Sequence, residues 1–549
     1  MRIRIFFIGF ATLLLASCSS DGGMMNHQMN GMGNGMMHGN QGMMNDGNQA
    51  EATGFLPGQG KDIASLSEAQ ATQTIDVQDG QTISLSPTLV RKMINGSTGL
   101  TTGGKEIAMY GYNGQIPGPL LRVQQGSTFT VKVRNNTDMP TAIHWHGLRL
   151  DNANDGAVGM TQKEIPVGGT FTYTVTVPDE GIFWYHSHMR EDVQQPLGLY
   201  GNILVTPKDA KAYSPVNREH VLAIGDLLLD ENGNPAPFGT EKPDRTLMGR
   251  FGNTMLANGS TDYALDVSKG EVVRFYLTDT ANTRMFKINF GGAKMKLVGG
   301  DNGRYEKEQF VDSVTLSPSE RAIVDVLFDK PGTYEIEHRN PDASYLLGTV
   351  TVGAEAISPS YAGEFNTLTA HGDVTKDIDV FRSSFDKAPD HTLILDMTMM
   401  GNRMMGGHGM MMGVVPEDGI EWEDNAGMMN ASAMGDMMQW KMIDQSTGAA
   451  NEDLVYSAKV GDQVKFRIIN KADSPHPMQH PIHFHGQRFL VLSDNGVKNT
   501  NLVWKDTVLV PAGHTVDILL DVTNPGDWMF HCHIAEHLSN GMMGLLRAQ

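Results

Sequence analysis

A cysteine lies between two histidines near the C-terminal end of the sequence, in the segment WMFHCHIAEHLSNGMM. This residue, Cys532, is one of only two cysteines among 549 residues. An unpaired thiol in an exported protein is a liability unless something holds it, and a metal ion would do so. Thiolate and imidazole are ligands that suit transition metals such as copper. The segment therefore predicts a metal site.

The spacing in this segment allows one strand to serve two metal sites. Side chains alternate between the faces of a strand, so Cys532 points away from its two neighbouring histidines. With His480 and His537, Cys532 makes a set of two histidines and one cysteine, to which Met542 adds a weak axial thioether. This combination is the ligand set of blue copper sites, where the axial residue tunes the potential.

Eight further histidines occur in pairs with one residue between them. Imidazole suits copper, and eight rings suffice for three ions that keep open positions for oxygen. Because two of these histidines flank Cys532, an electron arriving at the cysteine site can pass through the backbone to the second site. The paired residues are His144, His146, His186, His188, His483, His485, His531 and His533.

The segments that carry these histidines read as short strands. One pattern occurs three times, as VQQGSTFTVKVRN from Val123, VSKGEVVRFYLTD from Val267 and AKVGDQVKFRIIN from Ala458. Alternating polar and apolar residues between Gly-rich and Asn-rich breaks predict half-buried antiparallel strands. Repeats of this kind predict an all-β protein of three Greek-key β-sandwich domains. We expect these domains at residues 70–210, 211–360 and 380–549.

The middle repeat differs from the outer two in its ligands. Where the outer copies have paired histidines, it has Glu337, His338 and Arg339, and its other motif reads INFG. A purely structural role for the histidines would not predict that division. A site built between the first and third domains would.

With all four histidine motifs in place, residues 75–549 resemble the multicopper oxidases, which oxidise substrates by one electron at a time and reduce dioxygen to water. The resemblance implies cupredoxin-like domains and four copper ions per chain. It assigns His480, Cys532, His537 and Met542 to type 1 copper, and His144 and His483 to type 2 copper. It assigns His146, His186 and His533 to one type 3 copper, and His188, His485 and His531 to the other. Asp155 falls where the family carries an acid, which implies proton delivery to oxygen; an Asp-Gly turn is the alternative.

The N-terminal residues resemble a bacterial lipoprotein signal. Arg2 and Arg4 precede a short apolar run that ends in LASC, so we expect a signal peptide at 1–17 and lipidation of Cys18. Residues 18–69 are rich in Met, Gly and Asn and are expected to be a disordered tail. These features predict an exported monomer anchored on the periplasmic or cell-surface side, with the outer membrane favoured. A net charge of −20 without a basic cluster excludes nucleic acid as a partner.

The sequence has 36 methionines, many of them in a Met/Gly-rich insert at 397–438 within the third domain. Thioethers select Cu(I), so the leading hypothesis is a cuprous oxidase that acts in copper tolerance. The alternatives are a laccase-like oxidase of small phenols or amines, with the insert as a lid, and a non-catalytic copper sequestration protein. Residues expected to bind substrate Cu(I) are His476, Met478, Met399, Met400, Met404, Met405, Met410, Met411 and Met412.

Two positions depart from the bacterial cuprous oxidases that the chain resembles. His476 occupies the place of an acid in the substrate site, and Leu538 follows the type 1 histidine where an acid is common. The departures indicate that Cu(I) binds differently here or at another place.

Overall fold

The structure is a computed structural model that describes residues 54–95, 104–399 and 414–549. The predicted signal peptide, Cys18 and the Met-rich tail up to residue 53 lie outside the described residues. So do six methionines of the predicted substrate site, Met400, Met404, Met405, Met410, Met411 and Met412. Within the described ranges, no helix is long and apolar enough to cross a membrane.

In the described residues, the first sandwich forms from ten strands. They are β1 (Thr74–Val77), β2 (Thr82–Ser84), β3 (Pro87–Ile94), β4 (Lys105–Tyr112), β5 (Leu120–Gln124), β6 (Thr128–Arg134), β7 (Ile143–His146), β8 (Thr170–Thr176), β9 (Gly181–Ser187) and β10 (Tyr200–Thr206). Their sheets have the orders β1-β5-β10-β9-β7, β2-β6-β8 and β3-β4. In β6 the apolar residues Phe129, Val131 and Val133 are buried while Lys132 is exposed, which is the alternation that its sequence predicts.

The second sandwich forms from eleven strands. They are β11 (Arg218–Leu227), β12 (Thr254–Ala257), β13 (Ala264–Lys269), β14 (Glu271–Asp279), β15 (Phe286–Phe290), β16 (Lys294–Gly300), β17 (Gly303–Val311), β18 (Val314–Leu316), β19 (Arg321–Phe328), β20 (Gly332–Arg339) and β21 (Ser344–Ala356). Its two sheets have the orders β12-β11-β14-β19-β16-β17 and β13-β21-β20-β15-β18. The apolar core lies between them and includes Phe275, Phe286 and Ile336.

Outside residues 400–413, which the structure does not describe, the third sandwich forms from twelve strands. They are β22 (His391–Met399), β23 (Met438–Asp444), β24 (Val455–Ala458), β25 (Gln463–Asn470), β26 (His480–Phe484), β27 (Arg488–Asp494), β28 (Val497–Lys498), β29 (Trp504–Lys505), β30 (Thr507–Val510), β31 (Thr515–Asp521), β32 (Gly526–Cys532) and β33 (Met543–Ala548). One sheet has the order β23-β22-β25-β31-β27-β28 with β29 paired to β27, and the other has the order β24-β33-β32-β26-β30. Cys532 and Met542 lie in the core of this sandwich.

Helices are few and short in the described residues. They are α1 (Glu191–Gln194), α2 (Ala362–Phe365), α3 (Gly372–Asp379), α4 (Gly427–Ser432) and α5 (Ala535–Ser539), with 3-10 turns at Ile63–Ser65, Asn152–Asn154, Arg382–Ser384 and Asn451–Asp453. The all-β prediction is confirmed. The boundaries expected at 70–210, 211–360 and 380–549 stay predictions.

The predicted disordered tail is wrong for its last part, residues 54–69. Phe55 pairs with Phe238 through its backbone, and Leu66 follows the turn Ile63–Ser65. Both side chains pack against the core of the first sandwich. The composition argument failed here because two apolar side chains suffice to fasten a polar segment to a sandwich that is already folded.

Candidate metal centre

The cysteine site is built from two neighbouring strands and a helix. In the antiparallel pair β26 and β32, Ile482 lies opposite Cys532 and His483 opposite His531. His537 enters from α5, which begins three residues after the end of β32. The sulfur of Cys532 lies 3.5 Å from Nδ1 of His480 and 3.8 Å from Nδ1 of His537. The structure therefore brings the predicted cysteine set together.

Burial decides the protonation of this site. It raises the pKa of the Cys532 thiol and lowers the pKa of His480 to about 3, so His480 is a neutral ligand at neutral pH. Met542 is also fully buried, and its carbonyl accepts a hydrogen bond from the Cys532 amide over 3.1 Å. Because a metal cation lowers the pKa of a coordinating thiol outright, this donor set fits copper.

The eight paired histidines converge where the first sandwich meets the third. In the first, His144 on β7 lies opposite His186 on β9. The histidines form three groups. Within each group the ligand atoms lie within 4.8 Å of one another, and every member is buried. The groups are His144, His146 and His483; His146, His186 and His533; and His188, His485 and His531.

Hydrogen bonds orient these rings so that a lone pair faces the cluster. Nδ1 of His144 donates to the carbonyl of Asp155 over 2.8 Å, and Nδ1 of His483 donates to the carbonyl of Asp506 over 2.8 Å. A carbonyl oxygen only accepts, so these rings carry their proton on Nδ1. Their Nε2 atoms are buried and have no hydrogen-bond partner among the described residues. A metal ion binds to an unprotonated ring nitrogen of this kind, whose lone pair is free.

The pair His485 and His531 gives the sharpest test of the fit. Nδ1 of His485 donates to the Asp155 carboxylate and Nδ1 of His531 donates to the Cys532 carbonyl, each over 2.8 Å. Both Nε2 atoms then carry lone pairs, yet they lie 3.0 Å apart. Two facing lone pairs repel each other unless a cation lies beside both. The histidine clusters thus fit copper.

Two acids that the sequence analysis missed hold ligand histidines. Glu191 Oε1 lies 2.9 Å from Nδ1 of His188, and Asp506 Oδ1 lies 3.0 Å from Nε2 of His146. Glu191 could have been found as the acid three residues after His188. Asp506 had no local signal, because only the pairing of β26 with β30 brings it to the histidines.

The predicted acid, Asp155, lies against the cluster. Its Oδ2 accepts from His485 and its Oδ1 lies 3.4 Å from Nδ1 of His144. Burial alone would raise the pKa of Asp155, but the charges and hydrogen bonds of His485 and His144 outweigh it and the net shift is downward. Asp155 is therefore an ionised acceptor that orients a ligand.

Glu536, next to His537, is a further buried acid that the sequence analysis did not identify. Burial raises the pKa of its carboxyl to about 7, with Asp192 adding to the shift and Arg250 opposing it. Its Oε1 accepts from Asn282 over 3.2 Å. A carboxyl with this pKa can hold or release a proton near neutral pH.

The predicted substrate residues fall into different environments. Met478 is fully buried in the core that contains Cys532, whereas Met399 is exposed at the end of β22. His476 is half-buried, and its Nε2 atom is enclosed without a hydrogen-bond partner in the described part of the chain. Burial lowers the pKa of His476, and the nearby Asp424 opposes that shift. The structure thus places His476 within range of the charge of Asp424, a carboxylate of the insert.

The described part of the insert is fastened beside the cysteine site. The amide of Glu421 donates to Oε1 of Gln479 over 2.8 Å, and Nε2 of Gln479 donates back to the Glu421 carbonyl over 3.1 Å. Gln479 directly precedes His480. The ring of Trp440, just past the insert, lies 4.8 Å from that of His480 and 4.4 Å from that of His537, measured between centroids.

Comparison with known proteins agrees with this geometry. Sequence profiles described as multicopper oxidase match residues 95–210, 226–351 and 423–549. Laccase-1 of Melanocarpus albomyces is 26% identical over 493 residues, covering 78% of this chain and 73% of its own. The multicopper oxidase mco of Staphylococcus aureus is 24% identical over 447 residues, covering 80% of this chain and 83% of its own.

A solved structure has the same fold. It is titled a multicopper oxidase from Campylobacter jejuni, a metallo-oxidase, and superimposes with a TM-score of 0.64 at 23% identity. The match covers 89% of this chain and 97% of that one. Fold and site together define a copper-dependent oxidoreductase that uses dioxygen. The chain belongs to the multicopper oxidase family.

Proposed function

We propose that this enzyme oxidises Cu(I) to Cu(II) in copper tolerance and passes the electrons to dioxygen, forming water. The proposal includes four copper ions per chain. His480, Cys532, His537 and Met542 hold type 1 copper, and His144 and His483 hold type 2 copper. His146, His186 and His533 hold one type 3 copper, and His188, His485 and His531 hold the other.

The arrangement of β32 supports electron transfer between the two sites. Bound copper supplies one-electron chemistry at the cysteine site and dioxygen reduction at the histidine cluster. Cys532 is covalently continuous with His531 and His533, which face the cluster. The carbonyl of Cys532 also accepts from Nδ1 of His531 over 2.8 Å. The backbone therefore offers two short covalent paths and one hydrogen-bonded path.

Asp155 is proposed to move protons at the cluster as well as to orient His485. Its Oδ2 is taken by His485, while its Oδ1 is buried and has no hydrogen-bond partner among the described residues. Because the pKa of Asp155 is lowered, this oxygen would hold a proton only briefly and release it readily toward the histidine cluster. Glu536 can hold a proton near neutral pH, so it is a candidate to resupply protons to the cluster.

Fastening of the Met-rich insert to Gln479 is the observation that carries the Cu(I) proposal. Its two hydrogen bonds fasten the segment that carries the thioethers to the residue before His480. On α4, which the insert contains, Met428 is 90% exposed and Met429 is 60% exposed, so both thioethers are open to solvent. Thioethers prefer Cu(I). The ring of His476 lies 6.4 Å from that of Trp440, which packs against both type 1 histidines.

Laccase-like oxidation of a small phenol or amine is the second candidate, which relatives named laccases favour. A phenol that gives its electron directly must approach the edge of a type 1 histidine. Both His480 and His537 are 0% exposed. The axial Met542 adds to the case against difficult phenols, because a thioether holds the potential lower than an apolar residue would.

The cellular setting is part of the same proposal. Lipidation at Cys18, export and a monomeric state would place the enzyme on the periplasmic or cell-surface side of a membrane, with the outer membrane favoured. Supporting features are the charged and apolar segments before Cys18 in the sequence. Labelling of Cys18 with a radioactive fatty acid in cells, compared with a Cys18→Ser variant, tests the anchor.

Oxygen uptake tests the substrate. The copper-loaded enzyme without its signal peptide receives Cu(I) or a dimethoxyphenol. The test variant carries serine for the methionines of residues 400–413 and for Met428 and Met429. The matched control is Met93→Ser, since Met93 is 50% exposed on β3 of the first sandwich.

We expect Cu(I)-driven uptake to fall at least about tenfold in the test variant and to stay unchanged in the control, because loss of one soft-ligand set costs about 1.4 kcal/mol or more. Rapid phenol oxidation without Cu(I) turnover would establish the laccase-like function instead. Copper loading without uptake from either donor would favour sequestration and overturn the proposal.

A further inference from the structure

A buried arginine from the middle sandwich, to which no copper ligand is assigned, reaches the histidine cluster through one aspartate. Arg321, the first residue of β19, is fully buried and makes a two-pronged pair with Asp506, with Nη1 2.7 Å from Oδ1. Oδ1 of Asp506 also lies 3.0 Å from Nε2 of His146. One carboxylate thus joins the arginine to a ligand histidine.

Asp506 also fixes a second ligand, through its backbone. Its carbonyl accepts from Nδ1 of His483 over 2.8 Å. The hydroxyl of the next residue, Thr507, lies 3.2 Å from His146 Nε2 and 3.2 Å from His483 Nδ1. The loop between β29 and β30 therefore determines which nitrogen each of the two rings turns toward the cluster.

Arg321 ties this loop to the first sandwich as well. Its Nε donates over 3.0 Å to the carbonyl of Ile182 on β9, the strand that carries His186. Its backbone amide donates over 2.8 Å to Asp301, which pairs with Lys505 over 3.1 Å. Through its guanidinium, Arg321 of the second sandwich therefore contacts the first sandwich at Ile182 and the third at Asp506.

The residue after His146 is a glycine, and its lack of a side chain leaves room for the pair of Arg321 and Asp506. Gly147 has φ +82°, and a Cβ there would lie 2.3 Å from Oδ2 of Asp506 and 2.7 Å from Nη2 of Arg321. A side chain at this position would displace the pair. The glycine of HWHG thus permits contact between the middle sandwich and the cluster.

We propose that Arg321 is a positioning residue for the histidine cluster and that, through Asp506, it sets the orientation of His146 and His483. The inference rests on the proposed assignment of these histidines to copper. It gives the middle sandwich, which lacks ligands, a direct part in copper retention. Loss of an outer-shell partner of a metal-binding histidine reduces metal affinity by about 10- to 100-fold.

The test compares Arg321→Lys with Arg274→Lys in copper-loaded full-length enzyme. Arg274 makes a similar two-pronged pair with Asp325, over 2.8 and 3.0 Å, and both side chains are buried. Asp325 lies on β19, the strand of Arg321, but this pair makes no contact with the described histidines of the cluster. Lysine keeps the charge and removes the planar fork at both places.

Each protein is titrated with a copper chelator while two signals are followed in one sample. The type 2 electron paramagnetic resonance signal reports the cluster, and the thiolate-to-copper absorption reports the type 1 site. We expect Arg321→Lys to lose the type 2 signal at about 10- to 100-fold less chelator, with the type 1 absorption unchanged. Arg274→Lys should lose thermal stability while its type 2 titration stays as in wild type.

A type 2 titration of Arg321→Lys within threefold of wild type would overturn the proposal, as would an equal shift in Arg274→Lys. If Arg321→Lys does not load type 1 copper, the same titrations are carried out on Asp506→Asn, and the same criteria decide whether the proposal holds. These signals do not depend on Cu(I) oxidation, so failure of the proposed substrate would leave them unaffected. Absence of a type 2 signal in copper-loaded wild type would instead refute the ligand assignment.

Discussion

Oδ2 of Asp155 lies 2.8 Å from Nδ1 of His485, so an acid from a 3-10 turn of the first sandwich orients a ligand of the third. The two residues are 330 positions apart in the sequence and are both fully buried. Because the carboxylate accepts a hydrogen bond from Nδ1 of His485, the Nε2 atom of this ring is left to face the cluster. The contact links the geometry of the metal centre to the packing of the outer sandwiches.

Replacing Asp155 should show whether it only orients His485 or also delivers protons. We expect Asp155→Asn to reduce the rate of dioxygen reduction by about 100-fold or more, since a positioned acid or base contributes about 10² to 10⁴. Copper content should fall less in Asp155→Glu, which keeps the carboxylate. Oxygen consumption and the copper-to-protein ratio are measured together. The control is Asp151→Asn, an exposed residue that caps the same turn; equal rates in all variants would exclude the role.

Substitution of the glycine after His146 should destabilise the protein because of the residues that surround it. Gly147 and Gly159 share φ +82°, but nothing lies within 4 Å of a Cβ built at Gly159. Alanine at either position carries the cost of positive φ, about 1 to 2 kcal/mol. Gly147→Ala should lose about 1 to 3 kcal/mol more through its clash with Asp506 and Arg321. Denaturant unfolding measures the difference; equal losses would mean that the contact is unimportant.

Freeing the insert should raise KM for Cu(I). Oε1 of Glu423 accepts from Nη1 of buried Arg284 over 2.9 Å and from Asn340 over 2.8 Å. Glu423 is 31% exposed, so we expect Glu423→Gln to cost about 1 kcal/mol, which is roughly a fivefold rise in KM. Steady-state oxygen uptake checks this, with exposed Glu417→Gln as the control on the same segment. A changed type 1 absorption would indicate a wider disturbance than the loss of one anchor.

Acid should destabilise the copper-free protein through its buried histidines, and His338 of the middle sandwich allows a test outside the ligands. Burial, with the charge of Arg284, lowers the pKa of His338 to about 3. The unfolded chain takes up this proton near pH 6.5, so the stability that His338 contributes is present above pH 6.5 and is lost as pH falls toward 3.

The expected slope is at most about 1.4 kcal/mol per pH unit for this one group. His338→Gln should remove that part of the pH dependence of the free energy of unfolding between pH 6.5 and 4. Urea titrations of the copper-free wild type and variant at several pH values provide the measurement. Parallel curves over this range would show that His338 titrates alike in the folded and unfolded chain.

Local rules were sufficient for much of the metal centre. Alternation at the end of β32 makes the side chain of Cys532 face away from those of its neighbours His531 and His533. The structure places the cysteine and the two histidines in different clusters, as that rule predicts. Disorder was wrongly predicted for residues 54–69, since composition does not reveal that Phe55 and Leu66 pack against a core. For the substrate residues, the sequence identified His476 but could not show that the charge of Asp424 in the insert acts on it.

The sequence by itself determined the donor types, their pairing and the strands that carry them, because period-two alternation and ligand chemistry act between near neighbours. Tertiary structure alone decided which nitrogen of each ring faces the metal and which acids hold it there. Glu191 is a near neighbour of His188 in sequence, but Asp506 reaches His146 only through strand pairing, and Arg321 joins it from another sandwich. Contacts between residues hundreds of positions apart depend on how finished domains pack, and no local pattern encodes them.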